Sequence, residues 1–73
     1  MKITVFGATG RTGREVVRLA LDRGYNVVAF VRDSRKVNIE NSQLEVVQGE
    51  LGDTEALRTA LKGIDCVISA LGP

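Results

Sequence analysis

The sequence has no histidine and no tryptophan, one cysteine, one proline, two phenylalanines and one tyrosine. Each scarcity removes a class of function. The lone Cys66 has no partner for an internal disulfide, and without histidine the common zinc ligand sets cannot be assembled. Ten Lys and Arg oppose nine Asp and Glu, a net charge of +1. No bulk field therefore draws the chain to nucleic acid or to an acidic membrane surface. No segment approaches the roughly 18 apolar residues that span a bilayer. The opening run Met1–Phe6 meets Gly7 too soon to read as a secretory leader. A reducing, cytoplasmic setting is the expectation. Seventy-three residues bound the chain to one small domain with a marginal core.

What the chain does contain is glycine, eight residues of it, punctuating short apolar runs. Lys2–Phe6 is β-branched and apolar and ends at Gly7, the signature of a buried strand. Arg11–Arg23 reads as a helix with Val16, Val17, Ala20 and Leu21 on one face and Gly24 as its stop. Asn26–Val31 is a near-continuous apolar run, as a parallel strand covered on both faces requires. Asp33-Ser34 resembles a helix cap, yet the polar stretch to Ser42 is compatible with a short helix or a loop. Leu44–Gln48 is a third strand ending at Gly49. Asp53 or Thr54 caps a second helix through Ala56, Leu57, Ala60, Leu61 and Ile64, and Cys66–Ala70 is a fourth strand. Strands alternating with helices through short connections predict an α/β fold. Its expected core is a parallel sheet with right-handed crossovers, half of a doubly wound Rossmann-type sheet.

Between the first strand and the first helix lies Gly7-Ala8-Thr9-Gly10-Arg11-Thr12-Gly13. Gly7 permits a sharp turn off the strand, Gly10 a close approach of backbone to a pyrophosphate, and Gly13 close packing of helix on sheet. The helix start offers unpaired N–H groups and partial positive charge to phosphate. Thr9 and Thr12 add hydroxyl donors and Arg11 adds charge. A βα turn that binds nothing is the plain alternative. The Gly-Lys-Ser/Thr of a P-loop is absent, which disfavours an ATPase or GTPase.

The end of the second strand bears on which dinucleotide fits. A carboxylate there accepts hydrogen bonds from the adenosine ribose and repels a 2′-phosphate, whereas a guanidinium pairs with it. The run is Arg32-Asp33-Ser34-Arg35-Lys36, so Asp33 keeps NAD open. Three cations around one hydroxyl favour NADP. For Arg35 in particular, a solvated surface turn is the competing explanation.

The glycine spacing Gly-x-x-Gly-x-x-Gly, in the form Gly-Ala-Thr-Gly-x-Thr-Gly, resembles the atypical short-chain dehydrogenase/reductase group with NAD(P)H-binding domains. The likeness extends to Val31-Arg32-Asp33, Val46-Val47-Gln48-Gly49 and Ser69-Ala70-Leu71-Gly72, and so over essentially the whole chain. Within that group it is most similar to the biliverdin reductase B/flavin reductase type and the NmrA-like proteins. The resemblance implies that Arg32 and Lys36 hold the 2′-phosphate of NADP. It also places Glu50 and Leu51 beside the adenine, and Ala70, Leu71 and Gly72 along the cofactor.

Other reactive residues have plainer readings. Cys66 falls in an apolar strand and is expected to be a small buried hydrophobe. Tyr25 lies in an αβ connection, away from the carboxyl ends of the strands. Ser69 has no neighbouring base, and Arg14, Glu15, Arg18 and Asp22 read as a solvated helix face. No residue is a convincing general acid or base, and the Tyr-x-x-x-Lys pair common in short-chain dehydrogenases is missing. Residues 1–73 are therefore read as the N-terminal part of an NAD(P)-binding Rossmann domain, a fragment or truncated product, whose bare sheet edge is a route to self-association. The expected function is the cofactor-binding segment of an NADPH-dependent oxidoreductase acting on a small molecule. The alternatives are a non-enzymatic NAD(P)-sensing regulator and a structural module that has lost binding.

Overall fold

A computed structural model describes residues 1–70. Four strands, β1 (Lys2–Phe6), β2 (Asn26–Val31), β3 (Leu44–Gln48) and β4 (Cys66–Ser69), form one parallel sheet in the order β3-β2-β1-β4. Helix α1 (Arg11–Asp22) links β1 to β2, and α2 (Thr54–Leu61) links β3 to β4. The polar stretch after β2 forms only a single 3-10 turn, Ser34–Lys36. This order is one half of a doubly wound Rossmann sheet, with its switch point between β1 and β4.

The pleat divides the apolar residues between two layers. Ile3, Val5, Val27, Ala29 and Val31 face α1, where they meet Val17, Ala20 and Leu21. Val28 and Phe30 face the other way and pack with Ala60 of α2, joined by Phe6, Val47 and Leu57. Chain direction explains the two faces. The connections from β1 to β2 and from β2 to β3 step one way across the sheet, while β3 to β4 steps back. Right-handed crossovers then force α1 and α2 onto opposite sides. Central β2 is buried from Val27 to Val31, which accounts for its unbroken apolar run.

Glycine terminates α1 as expected. Gly24 adopts φ +81°, and its N–H donates to the Leu21 carbonyl at 2.9 Å. The other helix end is closed from across the sheet. Thr4, fully buried in β1, donates its hydroxyl to the Ala60 carbonyl, one of the acceptors the last turn of α2 leaves without an intrahelical partner. Nothing in the β-branched run Ile3-Thr4-Val5 announces that role.

One expectation fails. Cys66 is exposed. Its register with Ile3 places it on the α1 side of the sheet, but β4 is an edge strand and α1 lies over β1 and β2. An apolar run thus marks a strand without ensuring that a helix covers it. Val67, on the opposite face, is also 49% exposed.

Candidate cofactor site

The carboxyl ends of β1, β2 and β3 open into one cleft of about 570 Å³. β1 contributes Phe6, followed by Gly7 and Thr9 of the glycine loop. β2 delivers Val31, Arg32 and Asp33, with Lys36 from the turn beyond; Gly49, Glu50 and Leu51 follow β3. Parallel strands necessarily bring these separated segments to the same end of the sheet, which is the ligand-binding end of open α/β sheets.

The loop has the local geometry its glycines require. Gly7 takes φ +75°, and the Gly10 N–H closes the turn onto the Gly7 carbonyl at 3.1 Å. Gly13 is a packing requirement: a Cβ there would lie 2.0 Å from the Gly7 oxygen. A Cβ at Gly10 would meet only the Gly7 oxygen, at 3.5 Å. Gly10 therefore leaves its outer side open, and its exposed position suits an approaching ligand.

The two helix starts differ in a way that bears on charge. At α2, Asp53 accepts the Ala56 N–H at 3.1 Å and Glu55 adds a negative charge in the first turn. At α1, Gly10 supplies no side-chain cap and the first turn holds no acidic residue. The first helical bond runs from the Arg14 N–H to the Gly10 carbonyl, so the preceding amides have no intrahelical acceptor. One helix neutralises its own positive end; the other presents it beside the cleft.

The basic turn after β2 is held in place from two sides. The Ser34 N–H donates to Gln48 Oε1 at 2.9 Å, tying the turn to the end of β3, and the Lys36 N–H donates to the Asp33 carbonyl at 3.1 Å. Among the described residues, the side chains of Arg32 and Lys36 make no hydrogen bond or ion pair. Asp33 is engaged by Arg35, whose hydrogen bonds hold its carboxyl below the usual carboxylate range, with a smaller contribution from the Lys36 charge.

Residues 7–73 match the family model for NAD(P)H-binding proteins. The chain belongs to the NAD(P)H-binding family. It is 44% identical over 69 residues to the photosystem II assembly factor Ycf39 of Cyanophora paradoxa, covering 93% of this chain and 22% of that one. Over 65 residues it is 43% identical to the (4-alkanoyl-5-oxo-2,5-dihydrofuran-3-yl)methyl phosphate reductase of Streptomyces griseus, covering 89% of this chain and 23% of that one. The chain thus spans less than a quarter of the length of these relatives. Among solved structures, a short-chain dehydrogenase/reductase superfamily protein from Agrobacterium tumefaciens with bound NAD superposes with a TM-score of 0.81 at 33% identity. That match covers 99% of this chain and 20% of the other. A nicotinamide dinucleotide is accordingly the cofactor class of the family.

Of the residues singled out from the sequence, Gly7, Thr9, Arg32, Lys36, Glu50 and Leu51 line the one cleft. Gly10 and Thr12 are exposed at the start of α1 and are not among the residues that line it. Arg11 borders instead a shallow groove along α1 with Arg14, Glu15 and Arg18, and Gly13 is buried beneath the loop. Ala70 is half-buried after β4, its N–H donating to the Phe6 carbonyl at 2.8 Å, and does not line the cleft. Leu71 and Gly72 lie outside the described residues.

Sequence reasoning missed the aromatic floor. Phe6 and Phe30 approach with ring centroids 5.2 Å apart and planes tilted by 58°, and both reach the cleft. Their placement on the α2 face, at the carboxyl ends of adjacent strands, was available from alternation along each strand. Gly49, read from the sequence as the end of the third strand and part of the family likeness, also has a packing role. A Cβ there would lie 2.5 Å from the Ala56 Cβ, so this glycine admits α2 to the cleft's edge.

Proposed function

We propose that residues 1–73 are the N-terminal, cofactor-gripping part of an NADPH-dependent oxidoreductase. One observation carries the reading: Arg32 and Lys36 open into the same cleft as the glycine loop and the segment after β3. The cleft volume of about 570 Å³ falls within the roughly 300–1,000 Å³ usual for small-molecule sites. In this arrangement the uncapped amides of α1, with Thr9 and Thr12, hold the pyrophosphate. Arg32 and Lys36 take the 2′-phosphate, Glu50 and Leu51 flank the adenine, and Ala70 lies beside the cofactor after β4. A bound NADPH supplies hydride for an unsaturated or carbonyl-type small-molecule substrate. The reductase named among the relatives supports that chemistry. A reducing, cytoplasmic compartment suits the solvent-facing Cys66 thiol.

Titration of the full chain with NADPH and with NADH, followed by reduced-nicotinamide fluorescence, tests the assignment. NADPH is expected to bind more tightly. Arg32→Ala should weaken NADPH about tenfold or more, the worth of a charge-assisted hydrogen bond, while leaving NADH nearly unchanged. Equal losses for the two nucleotides would refute the phosphate assignment.

A second reading, a non-enzymatic nucleotide-binding regulator or assembly protein of NmrA-like type, is favoured by the assembly-factor relatives. For the longer protein of which this chain is read as a part, it predicts tight cofactor binding without NADPH oxidation when carbonyl and flavin acceptors are offered. Failure to bind either nucleotide would leave a structural module as the remaining reading.

A further inference from the structure

The basic turn contains a carboxylate that opposes its use as a phosphate site. Asp33 lies between Arg32 and Lys36 and lines the cleft. A bare carboxylate at the end of this strand accepts ribose hydroxyls and repels a 2′-phosphate. Yet Asp33 is not bare. Its Oδ1 accepts the Arg35 backbone N–H at 3.0 Å and Arg35 Nε at 3.0 Å, and its Oδ2 accepts Arg35 Nη2 at 3.1 Å. The planar guanidinium fork therefore covers both oxygens at once, the most directional form of a charge-assisted pair.

The surroundings make this pair local and separable from the fold. The Arg35 side chain is 89% exposed and that of Asp33 only 32%. Among the described residues Arg35 bonds to nothing else through its side chain. The turn is held without the Arg35 side chain, through Ser34 on Gln48, Lys36 on the Asp33 carbonyl and the Arg35 backbone N–H on Asp33 Oδ1, a cap that an asparagine at position 33 can keep. With Asp33 and Arg35 cancelling each other, Arg32 and Lys36 remain as the net charge of the turn.

We propose that Arg35 is a specificity-determining residue that acts through Asp33: by masking the carboxylate, it lets the turn accept a nucleotide bearing a 2′-phosphate. The proposal rests on the reading of the cleft as an NADP(H) site. An aspartate is ionised across the neutral range in any case, so the pair with Arg35 is present there in its charged form. Removing Arg35 leaves the anion uncovered toward the cleft. That penalises NADPH and offers a ribose acceptor to NADH.

A double-mutant cycle on the full chain tests this, with dissociation constants for NADPH and NADH measured for wild type, Arg35→Ala, Asp33→Asn and the double variant. Arg35→Ala is expected to weaken NADPH by roughly fivefold, the upper range for an exposed ion pair, with NADH unchanged or tighter. In the Asp33→Asn background the same substitution should leave the NADPH-to-NADH ratio nearly unmoved, because nothing remains to mask. Equal NADPH losses in both backgrounds would overturn the proposal by making Arg35 a direct phosphate contact, and so would an unchanged ratio in Arg35→Ala. Circular dichroism of each variant separates these outcomes from misfolding. A wild-type chain that binds neither nucleotide, or prefers NADH, instead brings down the underlying NADP(H) reading.

Discussion

Gly13→Ala puts a methyl group where the backbone of the glycine loop already is. The new Cβ would sit 2.0 Å from the Gly7 oxygen, 2.7 Å from the Gly7 carbonyl carbon and 2.8 Å from Ala8 Cα. All three are main-chain atoms, and Gly7 is committed to a left-handed turn, so no side chain can swing aside. Helix and loop must separate by roughly 1 Å, at the upper end of the 1–3 kcal/mol typical of an overpacked core. Replacing glycine inside a helix returns at most about 1 kcal/mol of propensity. The net loss is about 2 kcal/mol, which for a domain of this size lowers the melting temperature by roughly 10–15 °C. Thermal unfolding followed by circular dichroism at 222 nm (the amide helix band) provides the assay. Gly10→Ala is the matched control: its Cβ meets only the Gly7 oxygen at an ordinary 3.5 Å. That variant should lose under about 1 kcal/mol of stability and yet lose NADPH binding, because the methyl fills the approach to the loop. A Gly13→Ala variant that melts with the wild type would refute the packing argument.

Three further expectations follow from side chains outside the loop. Thr4→Val keeps the shape of β1 but strips the hydroxyl from the Ala60 carbonyl; about 1–2 kcal/mol should be lost, read by urea denaturation, and an unaffected midpoint would deny Thr4 its closing role at α2. Asp33 should titrate below the ordinary carboxylate value in the folded chain, followed by carboxyl-carbon NMR. Its depressed value means the contribution of the Arg35 pair is present above the unfolded pKa and lost as pH falls through the folded one, and Arg35→Ala should move the titration back upward. Cys66, exposed on β4, should react with a thiol reagent in the native state nearly as fast as in denaturant, whereas strong protection would restore the buried reading.

Much of this architecture is legible because the sheet is parallel and central. The run Val27–Val31 has no polar interruption since both faces of β2 are covered, and the α1 positions Val17, Ala20 and Leu21 recur at the helical period for the same reason. The glycine loop was legible because the φ of Gly7 strongly favours glycine and the contact at Gly13 excludes any side chain. Legibility fails where tertiary context decides. The stretch after Asp33 is polar throughout and forms one 3-10 turn, held by a distant glutamine, Gln48, that no local pattern connects to Ser34. Cys66 was misjudged because strand hydrophobicity reports the neighbours a strand usually has, and α1 lies mainly over β1 and β2, reaching β4 only at Ile68. The cleft itself was half legible: its charged and glycine positions follow from spacing, while Phe6 and Phe30 look like any core aromatics until the strand ends are aligned.

The uncapped start of α1 places folding and binding in competition at a single residue. Asn, Asp or Ser at position 10 would tie up an orphan amide and strengthen the helix by up to about 1 kcal/mol relative to a poor cap, though only a few tenths relative to glycine. On the proposed reading, the same side chain would occupy the place of the pyrophosphate and, in the case of Asp, cancel its attraction. Selection for thermal resistance alone would therefore drift toward filling this position, and with it toward a more durable protein that no longer holds a nucleotide. Libraries built to stabilise the domain should keep Gly10 fixed and draw their gains from the exposed faces of α1 and α2.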